Sequence, residues 1–387
     1  MTFSDSEMKA IRSRFPVLKT KIYLNSCSQG ALSNAVEAGI KEYVETWHES
    51  GSPWDVWTDK YEDARKVFAD FIGARPEEVA VVASASAAIN SIASALKFDR
   101  RSKVVMGEYE FPTMGQIWLA QKSRGAKVEF LNGVDNRIPV ESYQRSIDGD
   151  TLIVPLTHVS FVNGNRSDVP AITEAAHARG ALVMLDGYQD CGTRPIEMKK
   201  MGVDFMVSGT LKYLLGPPGL AFLYVAEDLI PSLDPPVTGW FAQSDPFAFN
   251  PKLHAPAPTA KRFEAGTPPI PNIYAAVAGI KLLSEIGLDR IGPHIGALAQ
   301  RLIQGVKSLG IQTKTAGDGV GPLVVLKSKD APGLVNVLAK ENIVVSCRHD
   351  GLRVAFHLYN TVDDVDRVLR ALKNNLNYFE LSSESPT

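Results

Sequence analysis

The sequence predicts an α/β protein whose large domain holds a mostly parallel sheet covered by helices on both faces. Strand-length apolar runs alternate with helix-periodic segments from residue 78 to residue 225, and this alternation is typical of parallel sheets. A proline-rich segment with little periodicity, residues 231–272, separates this region from further helix and strand patterns. We therefore expect a large domain over residues 16–260 and a smaller C-terminal α+β domain built from residues 1–15 and 261–387.

Hydrophobic periodicity and breaker residues give the order of the elements. The predicted helices cover 1–15, 33–47, 60–72, 84–96, 114–124, 171–179 and 273–283, with a last helix that begins at Thr361. The predicted strands cover 22–25, 78–82, 103–106, 128–131, 151–156, 181–185, 205–207, 220–225, 321–326 and 352–357. Trp54 and Trp57 fall beside Gly51 and Pro53, where we expect a loop that packs over the rings, a pocket mouth or a subunit contact.

Composition limits the partners of the protein. The formal net charge is −2 and is spread along the chain, so the sequence offers no basic patch for nucleic acid or for an anionic membrane. No apolar stretch reaches the roughly 18 residues of a membrane span. Cys27, Cys191 and Cys347 have no metal-type spacing and are odd in number, so we expect no metal site and a cytoplasmic location. A small molecule is the expected partner.

One lysine lies between two apolar runs of strand length. Lys212 follows Phe205–Val207 and precedes Leu220–Val225, and the sequence GPPG at Gly216–Gly219 separates it from the second run. Proline fixes φ and glycine supplies conformations that other residues avoid, so this segment must turn. An amine held between buried strands is unfavourable unless it is exposed, paired or used covalently. A solvated turn lysine is the simpler interpretation.

A carboxylate follows the preceding strand. The apolar run ALVML, residues 181–185, leads directly into Asp186. A carboxylate at the carboxyl end of a parallel strand points into the crevice where open α/β sheets bind ligands. A pyridoxal cofactor needs a lysine for a Schiff base and a carboxylate that keeps its ring nitrogen protonated, and Lys212 and Asp186 suit these roles. Helix N-capping is the other interpretation of Asp186.

Four segments carry a resemblance to a known family. In chain order, LDGYQDCGTRPIEM, SGTLKYLLGPPG, RFEAGTPP and LRVAFHLYNTVDDVD resemble class V aminotransferase-fold enzymes, which depend on pyridoxal 5'-phosphate (PLP). This family includes cysteine desulfurases, selenocysteine lyase, kynureninase and isopenicillin epimerase. The resemblance implies a fold-type I transferase fold, with a seven-stranded type of sheet in the large domain. It also implies PLP as the cofactor and a homodimer with composite active sites.

The resemblance assigns cofactor contacts to positions that match the family motifs. The strand-to-helix turn at Ser84 corresponds to the turn that holds the phosphate, and Phe111 corresponds to the ring that stacks on the cofactor. The turn at Gly266 is expected to reach the phosphate of the neighbouring subunit. The full set of expected cofactor contacts is Ser84, Ala85, Ser86, Phe111, Asp186, Gln189, Ser208, Thr210, Lys212, Gly266 and Thr267.

Substrate contacts are implied in the same way. Arg353 is expected to bind the α-carboxylate of an amino acid, because guanidinium matches carboxylate in bidentate geometry. Asn25, which precedes the small-residue loop SCSQG, is expected beside the substrate. Arg348 either binds a second acidic group or is a solvated surface arginine. The catalytic residues are expected to be Lys212, which moves the α-proton, and Asp186.

The residues around Cys347 bear on the reaction. Desulfurases that carry a persulfide have a catalytic cysteine on an extended loop between two arginines, whereas here only residues 349–352 separate Arg348 from Arg353. We therefore expect a lyase that acts through an external aldimine and a quinonoid, by β-elimination that includes C–S cleavage of a cysteine-type substrate, without a catalytic persulfide cysteine. The alternatives are a class V aminotransferase, an epimerase, a kynureninase-like hydrolase and a non-catalytic binding protein.

Overall fold

The structure, a computed structural model, describes residues 3–381. Residues 1–2 and 382–387, which the sequence analysis includes in the small domain, lie outside the described residues. In chain order the strands are β1 (Ile22–Tyr23), β2 (Val79–Val82), β3 (Lys103–Gly107), β4 (Lys127–Leu131), β5 (Thr151–Thr157), β6 (Leu182–Asp186), β7 (Phe205–Gly209), β8 (Ala221–Val225), β9 (Leu323–Lys327), β10 (Ile343–Val344), β11 (Ser346–Arg348) and β12 (Gly351–Ala355).

Helices occur throughout the described chain. In chain order they are α1 (Asp5–Ser13), α2 (Asn34–Ser50), α3 (Trp54–Ile72), α4 (Ala85–Ala95), α5 (Pro112–Ala120), α6 (Val140–Ser146), α7 (Val169–His177), α8 (Met198–Met201), α9 (Ile270–Ile286), α10 (Leu288–Ser308), α11 (Ala331–Lys340) and α12 (Val362–Lys373). The predicted elements are present with shifted ends, and α6, α8, α10 and α11 are additional. Within residues 3–381, no helix has the length and apolarity needed to span a membrane.

The prediction of a loop around Trp54 and Trp57 is wrong, because both residues lie in α3. This helix begins at Trp54, directly after Pro53, where the fixed φ of proline favours a helix start. Trp57 is buried, and its Nε1 donates a hydrogen bond to Thr46 Oγ1 at 3.0 Å. The breakers around Pro53 therefore separate two packed helices instead of opening a pocket.

The large sheet contains seven strands in the order β2-β8-β7-β6-β5-β3-β4. Strand β8 runs antiparallel to both of its neighbours, whereas the other pairings are parallel. The predicted fold, with a mostly parallel sheet in the large domain, is confirmed. The carboxyl ends of β3, β5, β6 and β7 therefore meet at one edge of the sheet, where α/β proteins bind ligands.

Both faces of this sheet are buried. Side chains of one strand point alternately to opposite faces, and in β6 Val183 and Leu185 pack into one apolar cluster while Met184 packs into another. Helices cover each cluster. This two-sided burial explains why β6, β7 and β8 appear in the sequence as continuous apolar runs without alternation.

The C-terminal region forms two smaller sheets. Strands β11, β12 and β9 form an antiparallel sheet in that order, and β1 pairs in parallel with β10. Thr361 and Asp364 form the predicted capping box at the start of α12, and Arg12 of α1 forms a 2.8 Å ion pair with Asp364. The N-terminal helix is thus tied to the C-terminal one, while the domain boundaries stay a prediction.

The proline-rich segment contains only short 3₁₀ turns before α9. Its end is fixed by Glu264, whose Oε1 accepts hydrogen bonds from Arg65 Nη1 at 2.5 Å and from the Val81 backbone N–H at 2.9 Å. Both side chains of this ion pair are buried, so the segment is held firmly against β2. Gly266 and Thr267, which follow, are exposed on the surface.

Candidate active site

A cavity of about 350 Å³ lies between the carboxyl edge of the large sheet and the hairpin of β11 and β12. It brings together side chains that are far apart in the sequence, as expected where parallel strands end. The predicted site residues that line it are Ser84, Ala85, Ser86, Phe111, Asp186, Gln189, Lys212, Arg348 and Arg353.

Lys212 reaches this cavity from the connection between β7 and β8. Its Nζ lies 4.4 Å from the ring centroid of Tyr188 and 5.6 Å from that of Phe111. Burial lowers the pKa of Lys212 to about 8, the Asp186 carboxylate opposes this shift, and Arg353 adds to it. The neutral fraction of the amine near physiological pH is therefore larger than that of an exposed lysine, which suits a nucleophile or proton acceptor.

Asp186 ends β6 as the sequence predicts. The side chain is buried, and its Oδ1 accepts a hydrogen bond from the Tyr188 backbone N–H at 2.9 Å. Burial raises the pKa of Asp186, whereas that hydrogen bond and the Lys212 charge lower it. A carboxylate placed here can form a charge-assisted hydrogen bond with a protonated ring nitrogen.

Glu110 is a second buried carboxyl group near Asp186, which the sequence analysis missed. Its Oε1 accepts a hydrogen bond from the Thr157 backbone N–H at 2.9 Å, and Thr157 is the register partner of Asp186 across β5 and β6. Burial raises the pKa of Glu110 well above its usual range, and the Asp186 charge raises it further. Burial therefore favours the neutral form of Glu110, which limits the negative charge near Asp186. The motif GEYEFPT places Glu110 at a strand end but gives no signal of its burial.

The N-terminus of α4 faces the same cavity. Ser84 caps the helix and accepts a hydrogen bond from the Ala87 N–H at 3.1 Å, while Ser86 Oγ lies 2.7 Å from Thr113 Oγ1. The first backbone N–H groups of a helix have no acceptor within the helix, and the helix dipole adds positive potential there. This turn therefore suits a phosphate group.

The Phe111 ring and an acceptor atom of Gln189 complete the site. Phe111 packs edge-on against Phe161 at 5.1 Å and remains partly exposed in the cavity. Gln189 donates from Nε2 to Cys27 O at 3.1 Å, whereas its buried Oε1 has no hydrogen-bond partner among the described residues. These residues fit a PLP molecule: Phe111 would lie beside its ring, Asp186 would hold its ring nitrogen and Gln189 would contact a polar substituent.

Three predicted site residues have their side chains outside the cavity. Asn25 forms a backbone bridge with Ala355, and the cavity is lined by its neighbours Cys27 and Ser28 instead. Ser208 is fully buried within β7. Thr210 Oγ1 donates to the Pro217 carbonyl at 2.7 Å, so its hydroxyl holds the turn after Lys212.

Gly266 and Thr267 are also absent from the cavity of a single chain. Both are exposed, as they must be to contact another subunit. Their expected contact with the phosphate of a neighbouring subunit stays a prediction.

Arg353 lies on the wall of the cavity that β11 and β12 form. It is almost fully buried on β12, and its Nη2 donates to Ser28 Oγ at 2.7 Å and to Ser346 Oγ at 2.9 Å. Its Nε has no hydrogen-bond partner among the described residues. A buried guanidinium that contacts only hydroxyl groups is suited to binding a carboxylate ligand.

Comparison with known proteins agrees with this geometry. The family "Aminotransferase class-V" matches residues 23–368. The uncharacterized aminotransferase YcbU of Bacillus subtilis (strain 168) is 35% identical over 355 residues, which cover 92% of this chain and 94% of that protein. The apo structure of a cysteine desulfurase from Thermococcus onnurineus NA1 has a TM-score of 0.87 and 25% identity, and covers 95% of this chain and 98% of that chain.

A third protein is similar in fold. It is a C-DES mutant with glycine covalently linked to its PLP cofactor, with a TM-score of 0.87, 19% identity, and coverage of 94% of this chain and 99% of that chain. The chain described here belongs to the class V aminotransferase family and is a PLP-dependent enzyme. The predicted family, fold and cofactor are confirmed.

The lowered pKa of Lys212 can be measured directly. In the apoenzyme, competitive acylation of Lys212 followed by peptide mass spectrometry should show a half-point near pH 8, with the other lysines as internal references. Asp186→Asn should lower this half-point, because the carboxylate stabilises the charged amine, and Asp55→Asn on the surface of α3 should leave it unchanged. A half-point near the unperturbed value of about 10.4 would contradict the described burial.

Proposed function

We propose that the protein is a PLP-dependent lyase that removes a β-substituent from an α-amino acid, including C–S cleavage of a cysteine-type substrate, without a catalytic persulfide cysteine. The observation that carries this proposal is the tight hairpin between β11 and β12. Arg348 and Gly351 are register partners in this hairpin, so only His349 and Asp350 lie between them. No extended loop is present at this place to carry a cysteine into the cavity.

The orientation of Cys347 supports the same proposal. Ser346 contacts Arg353 and Arg348 lines the cavity. Because alternate residues of a strand point to opposite faces, Cys347 between them points away from the cavity. A persulfide carrier needs a mobile thiolate that reaches the substrate and then leaves with its sulfur. Cys347 on a paired strand does not meet that need.

The remaining residues have roles that suit elimination. Bound PLP supplies the electron sink for the Cα bonds of the substrate. Arg353 binds the α-carboxylate, Lys212 accepts the α-proton, and Asp186 holds a proton at the ring nitrogen. Phe111 limits the access of water from one side. Elimination then needs only a leaving group on the substrate Cβ and no second amino acceptor.

An aminotransferase is the second candidate, and one finding favours it. YcbU, at 35% identity, is described as an uncharacterized aminotransferase. A transaminase would return the proton to the cofactor instead of expelling a β-substituent, and would leave the cofactor in its pyridoxamine form. Epimerase and kynureninase-type reactions begin with the same binding geometry and would be distinguished in the same assay.

Product analysis tests the lyase proposal. The holoenzyme should convert cysteine or S-substituted cysteine to equal amounts of keto acid and ammonia with release of the thiol, without accumulation of pyridoxamine phosphate, and alanine should give neither product. Lys212→Ala should lower turnover by about 10²- to 10⁴-fold, because the proton acceptor is lost. Formation of keto acid and pyridoxamine phosphate without ammonia would identify an aminotransferase instead.

The cysteine variants test the absence of a persulfide. Cys347→Ala should turn over cysteine-type substrates at close to the parent rate, because its side chain points away from the cavity. Cys27→Ala is the informative comparison, since Cys27 lines the cavity. The proposal is wrong if either variant loses activity and the parent carries a persulfide on that same cysteine, as identified by mass spectrometry.

We also propose a homodimer with composite active sites and a cytoplasmic location. The exposed turn at Gly266 and Thr267, held by the buried Arg65–Glu264 ion pair, supports the first proposal because a rigid exposed turn can contribute backbone donors to a second chain. The three free thiols support the second, because a reducing compartment preserves unpaired cysteines.

Complementation tests the composite site. Lys212→Ala and Thr267→Asp should each be inactive alone, the second because a carboxylate would repel the cofactor phosphate. After co-expression, each mixed dimer should contain one intact site, with Lys212 from one chain and Thr267 from the other, so activity should return. Full activity of Thr267→Asp alone, or of a monomer in sedimentation, would contradict the composite site.

A further inference from the structure

Two arginines on one wall of the active-site cavity have no acidic partner. Arg353 and Arg348 both line the cavity, and neither forms an ion pair within residues 3–381. Arg353 donates to two serine hydroxyls, and its buried Nε is unpartnered. Arg348 Nη1 donates to the Cys347 carbonyl at 2.7 Å. This wall therefore presents two guanidinium groups whose charges are not neutralised by the described residues.

The other buried arginine among residues 3–381 has an acidic partner. The fully buried Arg65 contacts Glu264 at 2.5 Å, as expected because an isolated charge in the interior is unfavourable. Arg12 is likewise paired with a buried carboxylate, that of Asp364. An unpaired Arg353 beside Arg348 is thus an exception, and a ligand is the natural source of the missing negative charge.

The charges around the cavity indicate that a negatively charged ligand group would bind at Arg353 and Arg348. Arg353 and Arg348 both lower the pKa of Lys212, and Arg353 also lowers the pKa of Arg348. Asp186 is the one carboxylate among the described residues that line the cavity, and it would be paired with the ring nitrogen of the cofactor. One substrate α-carboxylate neutralises one guanidinium, so a second positive charge remains at the cavity mouth, where Arg348 is exposed.

We propose that the site selects amino acids whose side chain carries a second anionic group with two oxygen atoms, a carboxylate or a sulfinate, and that Arg348 binds this group. The proposal rests on the proposed function insofar as the ligand is an amino acid bound by Arg353. It does not depend on which bond the enzyme breaks. Arg348 is therefore a specificity-determining residue, and its contribution appears in binding before any chemical step.

Binding of unreactive acids to the holoenzyme separates this proposal from the reaction. Succinate and butyrate differ by one carboxylate and undergo neither elimination nor transamination. By calorimetry, succinate should bind about 10- to 100-fold more tightly than butyrate, the range expected for a charge-assisted hydrogen bond. In Arg348→Met this preference should disappear while butyrate affinity stays the same, and Arg348→Lys should retain part of it.

Arg145→Met, at an exposed arginine on α6, is the matched control for loss of one surface charge and should keep the preference. The proposal is overturned if the parent enzyme binds succinate and butyrate equally, or if Arg348→Met keeps the full preference. Either result would leave the lyase proposal standing, because that proposal is judged by products. Conversely, an aminotransferase product pattern would leave this binding result unaffected.

Discussion

The active site depends on one buried amine opposite one buried carboxylate. Lys212 loses hydration in the cavity, so its pKa falls to about 8, and Asp186 limits that fall. Glu110, a second buried carboxyl group, follows β3, and burial raises its pKa well above the usual range. Burial thus disfavours a second negative charge near Asp186. The balance of charge in the cavity is thus set by burial as much as by ion pairing.

Close contacts also fix the backbone around Lys212. Gly30 donates its N–H to Leu211 O at 2.7 Å, and a Cβ atom at Gly30 would lie only 2.3 Å from Lys212 O. A Cβ at Gly279 of α9 would likewise lie 2.5 Å from Leu214 O. Leu215 has φ +62°, a conformation that a leucine rarely adopts and that surrounding structure must enforce. Close contacts from Gly30 and Gly279 hold this backbone conformation, so the segment that carries Lys212 has little freedom to move.

Local signals in the sequence were sufficient for the parts of the site that follow a strand directly. Asp186 and Lys212 could be predicted because apolar runs and a GPPG turn define where β6 and β7 end. The burial of Glu110 and the approach of Cys27 and Ser28 could not be predicted, because they result from packing between distant segments. The same limit applies to Ser208 and Thr210, since which face of a chain meets the cavity depends on the register with neighbouring strands. At Trp54, the breaker residues mark the boundary between α2 and α3 and not the predicted loop.

The charge distribution also couples substrate binding to proton transfer. Arg353 and Arg348 lower the pKa of Lys212 while their charges are not neutralised. When anionic groups of a substrate bind to this wall, the repulsion between the guanidinium groups and the ammonium form of Lys212 decreases, so the pKa of the lysine rises. Lys212 released from the cofactor would then be a stronger base for the α-proton than it is in the empty cavity. Arginines that bind a carboxylate at this wall would therefore also tune the basicity of Lys212.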